Sequence, residues 1–249
     1  MVLLRRGCLA LTLAALLAAT ACRGVIPRHY EYEEEMYLGL DGSATLYVNG
    51  SVPALVALRG LDLDTRPGAR LDRPRLREAY TSPVTQVTRV SASRRAGRRF
   101  AHLRIRVSDV RRLSEVAPFA WSVYALDRRE GAVVFEQRVG PPAGRLVPDV
   151  GWKGAELVAF RLHLPSKIRY HNAPSKVVER GNILAWEQTL QDRRRGHPVS
   201  IEVRLDTESI LHRTLWLFAT MIGVVVALFA VVIWWMVRRG RASGAAPVS

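Results

Sequence analysis

The sequence predicts an α+β domain, mainly antiparallel β, followed by a C-terminal transmembrane helix. Three observations carry this. Short runs of alternating apolar and polar residues recur from about residue 30 to 205, bounded by Gly, Pro, Asn or Asp. That is the pattern of half-buried strands joined by tight turns. Thr214 to Val237 runs 24 residues without a charge. Residues 1–21 have the three parts of an export signal.

At the N-terminus, Arg5 and Arg6 form a positive start and "GCLALTLAALLAATA" an uncharged run of 15 residues. A bilayer span needs about 20. Ala19-Thr20-Ala21-Cys22 resembles a bacterial lipobox, in which the cysteine after small residues receives a diacylglycerol on its sulfur. Ala19 stands where leucine is usual. The same letters satisfy the A-x-A rule of ordinary signal peptidase, and the run can also stay as an uncleaved anchor. Cysteine arithmetic favours lipid on Cys22. Cys8 leaves with the signal, and Cys22 is then a lone thiol in an exported chain. No disulfide would staple the domain.

Residues 22–213 are expected to form one extracytoplasmic domain. "HYEYEEEMYLGL" alternates, with Tyr30, Tyr32, Met36, Leu38 and Leu40 on one face and Glu34 as the exception. Asp41-Gly42 is a hairpin turn signal, and "SATLYVNG" returns. "VPALVALRGL" places Leu55, Leu58 and Leu61 near helical spacing after Pro53. Residues 62–99, with Pro67, Pro74 and several arginines, predict loop around one strand at "VTQVTRVSA". "FAHLRIRVS" alternates, and Ser108 or Asp109 caps a short helix through Val116. "FAWSVYAL" and "AVVFEQRV", with a turn at Arg128 to Gly131, form a second hairpin. "AELVAFRLHL", "NILAWEQTL" after Gly181-Asn182, and "VSIEVRL" complete about eight strands with two or three short helices. Few residues separate either end of the domain from its anchor, so both ends are expected close to the bilayer.

The uncharged run from Thr214 to Val237 is about 36 Å long as a helix, enough to cross a ~30 Å hydrocarbon core with tilt. Trp216 near one end, and Trp234 and Trp235 near the other, suit the two membrane interfaces. Arg238, Arg239 and Arg241 follow, whereas Arg213 stands alone on the other side. Positive-inside therefore places residues 238–249 in the cytoplasm, which agrees with export of the domain.

The chain carries 37 Lys and Arg against 22 Asp and Glu, and its only lysines are Lys153, Lys167 and Lys176. Such arginine usage fits either a GC-rich genome or attraction to anionic lipids or glycans. Nucleic acid is not an expected partner of an exported domain. None of His29, His102, His163, His171, His197 and His212 has zinc-site spacing, and His102 and His163 fall on polar strand faces. No GxSxG, P-loop or GxGxxG is present, so no catalytic residue, metal ligand or cofactor is assigned. Glu31, Glu33, Glu34 and Glu35 alternate in direction along a strand and do not converge on one cation. Arg193, Arg194 and Arg195 form a basic run, expected as an exposed loop able to touch headgroups.

The order of parts is similar to that of the LppM-type bacterial envelope lipoproteins. The shared features are the lipobox-like Cys22, the hairpin at "LDGSATLYV", the late strand at "GNILAWEQ", and a single C-terminal span with an arginine stop. The resemblance implies an α+β ectodomain with a non-catalytic role toward envelope lipids or glycolipids, and brings no catalytic residues. The expected protein is a non-enzymatic envelope protein of the bacterial cytoplasmic membrane, lipidated at Cys22 and anchored again by residues 214–237. Its ectodomain would bind a lipid, glycolipid or protein partner. The alternatives are an accessory subunit of a membrane assembly and an enzyme without a recognisable motif.

Overall fold

The computed structural model describes residues 28–243. Cys22 and the signal segment lie outside them. The fold is α+β and mainly antiparallel. β1 (Tyr30–Leu38), β2 (Ala44–Ser51), β3 (Thr85–Arg95), β4 (Arg98–Val107), β7 (Leu157–His163) and β9 (Ile183–Thr189) form a six-stranded sheet in the order β3-β4-β2-β1-β7-β9. β5 (Ser122–Arg129), β6 (Ala132–Val139), β8 (Ser166–His171) and β10 (Val199–Ser209) form a four-stranded sheet in the order β5-β6-β10-β8. Within these sheets β1 and β7 run parallel. Residues of both sheets, among them Leu46, Val48, Phe135, Phe160 and Val203, meet in one apolar core.

Local chemistry explains the elements. Asp41 accepts from the Ser43 amide at 2.9 Å and hydroxyl at 2.7 Å, and Gly42 takes φ +93°, which closes the β1–β2 turn. The helix expected after Pro53 is α1 (Val52–Arg59), capped by the Ser51 hydroxyl on the Ala54 amide and ended by left-handed Gly60. It is apolar all round and buried throughout, so it belongs to the core and not to the surface. Asp109 caps the short helix expected there, a 3-10 helix over Val110–Glu115.

Among the elements missing from the sequence expectation are a helix and a strand. α2 (Arg73–Tyr80) lies inside the stretch expected as loop. Only Leu76 and Tyr80, one turn apart, point inward, and Pro74 sits in the first turn, where its missing amide costs nothing. β8 is a short strand at the sheet edge with Lys167, Arg169 and Tyr170 outward, so it has no long apolar alternation.

The structure also places the two ends of the domain relative to each other. β10 passes directly into α4 (Ile210–Ser243). Ser209 pairs with Ser166, and its hydroxyl donates to the Pro165 carbonyl at 3.3 Å. Pro165 lies two residues after His163, the register partner of Tyr37 near the end of β1. The start of β1 instead lies beside the β3–β4 hairpin, where Arg95 donates to the Tyr30 carbonyl. Seven residues of strand, about 23 Å, therefore separate the two ends of the domain.

The β3–β4 turn holds Ala96 at φ +48° and Gly97 at φ +74°, with open space around the Gly97 Cα. Two positive φ values in a two-residue hairpin suit glycine and strain alanine. Gly97→Ala is expected to lower stability by about 1 kcal/mol and Ala96→Gly to raise it by a similar amount. Paired thermal unfolding, at about 2–4 °C per kcal/mol, checks the opposite signs.

Candidate functional site

The tip of the β3–β4 hairpin reads Arg94-Arg95-Ala96-Gly97-Arg98-Arg99. Register sets Arg94 opposite Arg99 and Arg95 opposite Arg98. Like charges opposite one another repel, so each guanidinium is held by a different group. Arg98 pairs with Glu31 at 2.8 Å and donates to the Val150 carbonyl at 3.1 Å. Arg95 lies 4.4 Å over the Phe100 ring. Arg94 donates to the Pro67 carbonyl at 3.2 Å. Arg99 is 7% exposed and donates to the carbonyls of Asp64 at 2.5 Å and Arg66 at 3.0 Å.

Arg94 and Arg99 form one wall of an open depression of about 550 Å³ whose other wall is the segment leading into α2, with Arg70, Leu71, Arg73 and Pro74. Four arginines line it and no carboxylate does. Arg70 and Arg73 are exposed and meet no carboxylate among the described residues. Burial holds the Arg99 guanidinium below its ordinary value against the attraction of Asp64, and Arg94 adds repulsion. The same Arg99 also lines a narrower cleft of about 290 Å³ with Val52, Pro53, Pro67, Pro148 and Val150 on its apolar side. A cationic depression and a mostly apolar cleft thus share one arginine.

The arginine run expected as an exposed surface is corrected. Arg193 lies in α3 (Leu190–Arg194), and helical spacing turns it inward together with Leu190. It is fully buried, donates to the Gly140 carbonyl at 2.5 Å and lies 5.3 Å from the Trp121 ring, so it cannot reach a headgroup. Arg194 stacks over Trp152 at 5.0 Å and Arg195 sits 3.9 Å from Asp192. The three side chains do not share a surface.

The four glutamates of β1 each have their own partners. Glu31 takes Arg98 and the Trp152 indole, Glu33 takes Arg161 at 2.8 Å, Glu34 takes Arg59, and Glu35 takes His163 at 2.5 Å. His163 also stacks on Tyr37 at 3.8 Å, and His102 bonds Asn49 and Ser93, so both histidines are half-buried and bonded where solvated surface was expected. Burial, with Arg95 adding repulsion, holds His102 below its ordinary value. Near His163, the Ser43 hydroxyl donates to Asp41 at 2.7 Å.

Within α4, Thr214–Met236 is a 23-residue apolar stretch of mean hydropathy 2.7, with none of it buried against the domain. Its length as a helix is about 35 Å. Trp216, Trp234 and Trp235 are exposed near its ends, and Arg238 and Arg239 stack back over Trp234 at 5.1 Å and Trp235 at 4.3 Å.

No family model and no curated protein matches the chain. Among solved structures, the NMR structure of the folded domain of Mycobacterium tuberculosis LppM is similar, at 9% identity and a TM-score of 0.40, over 74% of this chain and 94% of that one.

Proposed function

We propose that this is an exported, non-enzymatic envelope protein whose ectodomain binds an anionic lipid or glycolipid. The headgroup sits among Arg70, Arg73, Arg94 and Arg99, and the apolar part enters the cleft beside Arg99. The supporting observation is the carboxylate-free arginine depression that adjoins apolar walls through one shared residue. Arginine forks match phosphate and carboxylate oxygens in pairs, and an apolar wall beside them selects an amphiphile over a free ion.

The position of the site bears on its ligand. It lies at the end of the six-stranded sheet away from the exit into α4. An upright domain would hold it about 25 Å from the bilayer that α4 enters. Eight residues from Cys22 to Tyr30 reach at most about 28 Å. A lipid on Cys22 and α4 can therefore share one bilayer in either pose, and strands lying along its surface bring the arginines down to the headgroups. The lipid would then set the orientation of the domain more than its retention, since α4 alone is an effectively permanent anchor.

The binding test uses the full-length protein in nanodiscs of neutral phosphatidylcholine, titrated with dihexanoyl phosphatidylglycerol or dihexanoyl phosphatidylcholine below their micellar concentrations. Saturable binding of the anionic lipid alone is expected, and equal response to both lipids would overturn the proposal.

Topology has its own test. A reporter active only outside the cytoplasm is expected to work when fused after Asp206 and to be silent when fused after Ser249. The reverse pattern would contradict both the signal and the arginine asymmetry around the span.

A further inference from the structure

The outer face of the six-stranded sheet carries a row of polar side chains across four adjacent strands. Glu33 of β1 is the register partner of Asn49 of β2, and Asn49 is that of His102 of β4. Their chain neighbours Tyr32, Val48 and Leu103 are buried in the core, so by alternation the row points the other way. Ser93 completes it from β3, the edge strand. Ser91 faces His102 directly in the register, yet it is Ser93, further along the strand, that bonds the ring.

The bonds in the row run in one direction. The Asn49 amide nitrogen lies 3.5 Å from a Glu33 carboxylate oxygen, which only accepts, so the amide oxygen is the end turned to the ring. That oxygen is 2.9 Å from His102 Nδ1 and also only accepts, which places the ring proton on Nδ1. His102 Nε2 then presents a lone pair, and the Ser93 hydroxyl, 2.8 Å away, donates to it. Burial, with repulsion from Arg95 second, favours this neutral ring. The other charge behind the row is that of Glu33, which Arg161 meets at 2.8 Å, and Arg104, next along β4, lies over Tyr47 at 5.6 Å.

A hydroxyl on a neutral imidazole whose other nitrogen is fixed by a third group is the arrangement that activates a serine nucleophile. It is also within reach of solvent. Ser93 is exposed, and all four residues line a hollow of about 190 Å³ together with Tyr30 and Arg95. The Arg95 guanidinium brings positive charge to the hollow, where an attacked carbonyl would develop negative charge.

We infer that Ser93 is a modification site that accepts the acyl group of an activated ester or thioester. The Ser93 oxygen bonds to the carbonyl carbon, and the bond from that carbon to the leaving oxygen or sulfur breaks. The serine proton passes through His102 Nε2 to the leaving group. One acyl group is accepted per chain, so the role is stoichiometric and does not depend on what the arginine depression binds.

The test treats the full-length protein in neutral nanodiscs with an alkyl fluorophosphonate. This probe reacts as an activated ester does. The serine oxygen bonds to phosphorus, fluoride leaves, and the adduct is stable. Peptide mapping by mass spectrometry is expected to find one adduct per chain, on Ser93 and not on Ser91. His102→Gln is expected to slow the labelling roughly a hundredfold, and Ser93→Ala to abolish it. The wild-type rate, which needs no variant to fold, is expected to rise with pH and level off below pH 6.5 as His102 loses its proton. A hydroxyl without a base would go on gaining reactivity past that point. No adduct on Ser93, an equal rate in His102→Gln, or a wild-type rate that does not level off overturns the proposal.

Discussion

Glu34→Gln is expected to lower the unfolding free energy of the ectodomain by about 3–5 kcal/mol. Glutamine keeps the shape of the side chain and can still accept from Tyr32, so neither a cavity nor a lost bond accounts for the loss. What disappears is charge. Glu34 is 3% exposed and is the carboxylate paired with Arg59, while Arg193 stands on the far side of the Trp121 contact without one. Its neutralisation leaves two buried guanidiniums uncompensated. At about 2–4 °C per kcal/mol, the unfolding temperature falls by roughly 10 °C. Glu34→Gln combined with Arg59→Met removes both members of the pair and is expected to recover most of that loss, because an apolar replacement carries no desolvation penalty. A single variant within 0.5 kcal/mol of wild type would mean that Arg59 draws its compensation from the carbonyls and rings around it.

The same interior shows where sequence reading stops. The hairpins at Asp41-Gly42 and Glu130-Gly131 are legible because a local alternation and a local turn chemistry specify each of them. Glu34 is visible as the polar residue on an apolar face, but its partner Arg59 lies 25 positions away at the end of a helix, and only the fold brings them together. Arg193 misleads in the opposite direction. Three consecutive arginines suggest exposure, yet Leu190 and Arg193 are three apart at the start of a short helix that Thr189 caps, and that spacing buries one of the three. The surface site had a signal of its own. Arg94 to Arg99 holds four arginines in six residues around an Ala-Gly turn, which sets them in opposed pairs, a denser arrangement in space than Arg193 to Arg195. Its second wall was not legible, since α2 is specified by two apolar anchors and a proline that suggested loop.

The largest functional effect is expected from removing the charge of that depression without disturbing its frame. Arg70, Arg73 and Arg94 are exposed, whereas Arg99 holds the backbone at Asp64 and Arg66 and is left in place. An arginine near an anionic headgroup contributes about 1 kcal/mol, so three contribute about 3 kcal/mol, or roughly a hundredfold in affinity. Arg70→Gln/Arg73→Gln/Arg94→Gln protein should fold as wild type, because these side chains make one backbone contact, from Arg94 to Pro67, among the described residues. Binding should also weaken with salt in wild type and lose most of that dependence in the variant, since exposed charges are screened over about 10 Å at 0.1 M.

The most direct measurement is the affinity of the full-length protein, in neutral nanodiscs, for dihexanoyl phosphatidylglycerol, before and after this triple substitution. The account predicts saturable binding by wild type, about a hundredfold weaker binding by the variant at unchanged unfolding temperature, and no comparable binding of dihexanoyl phosphatidylcholine by either. Equal affinity of wild type and variant for the anionic lipid would contradict it.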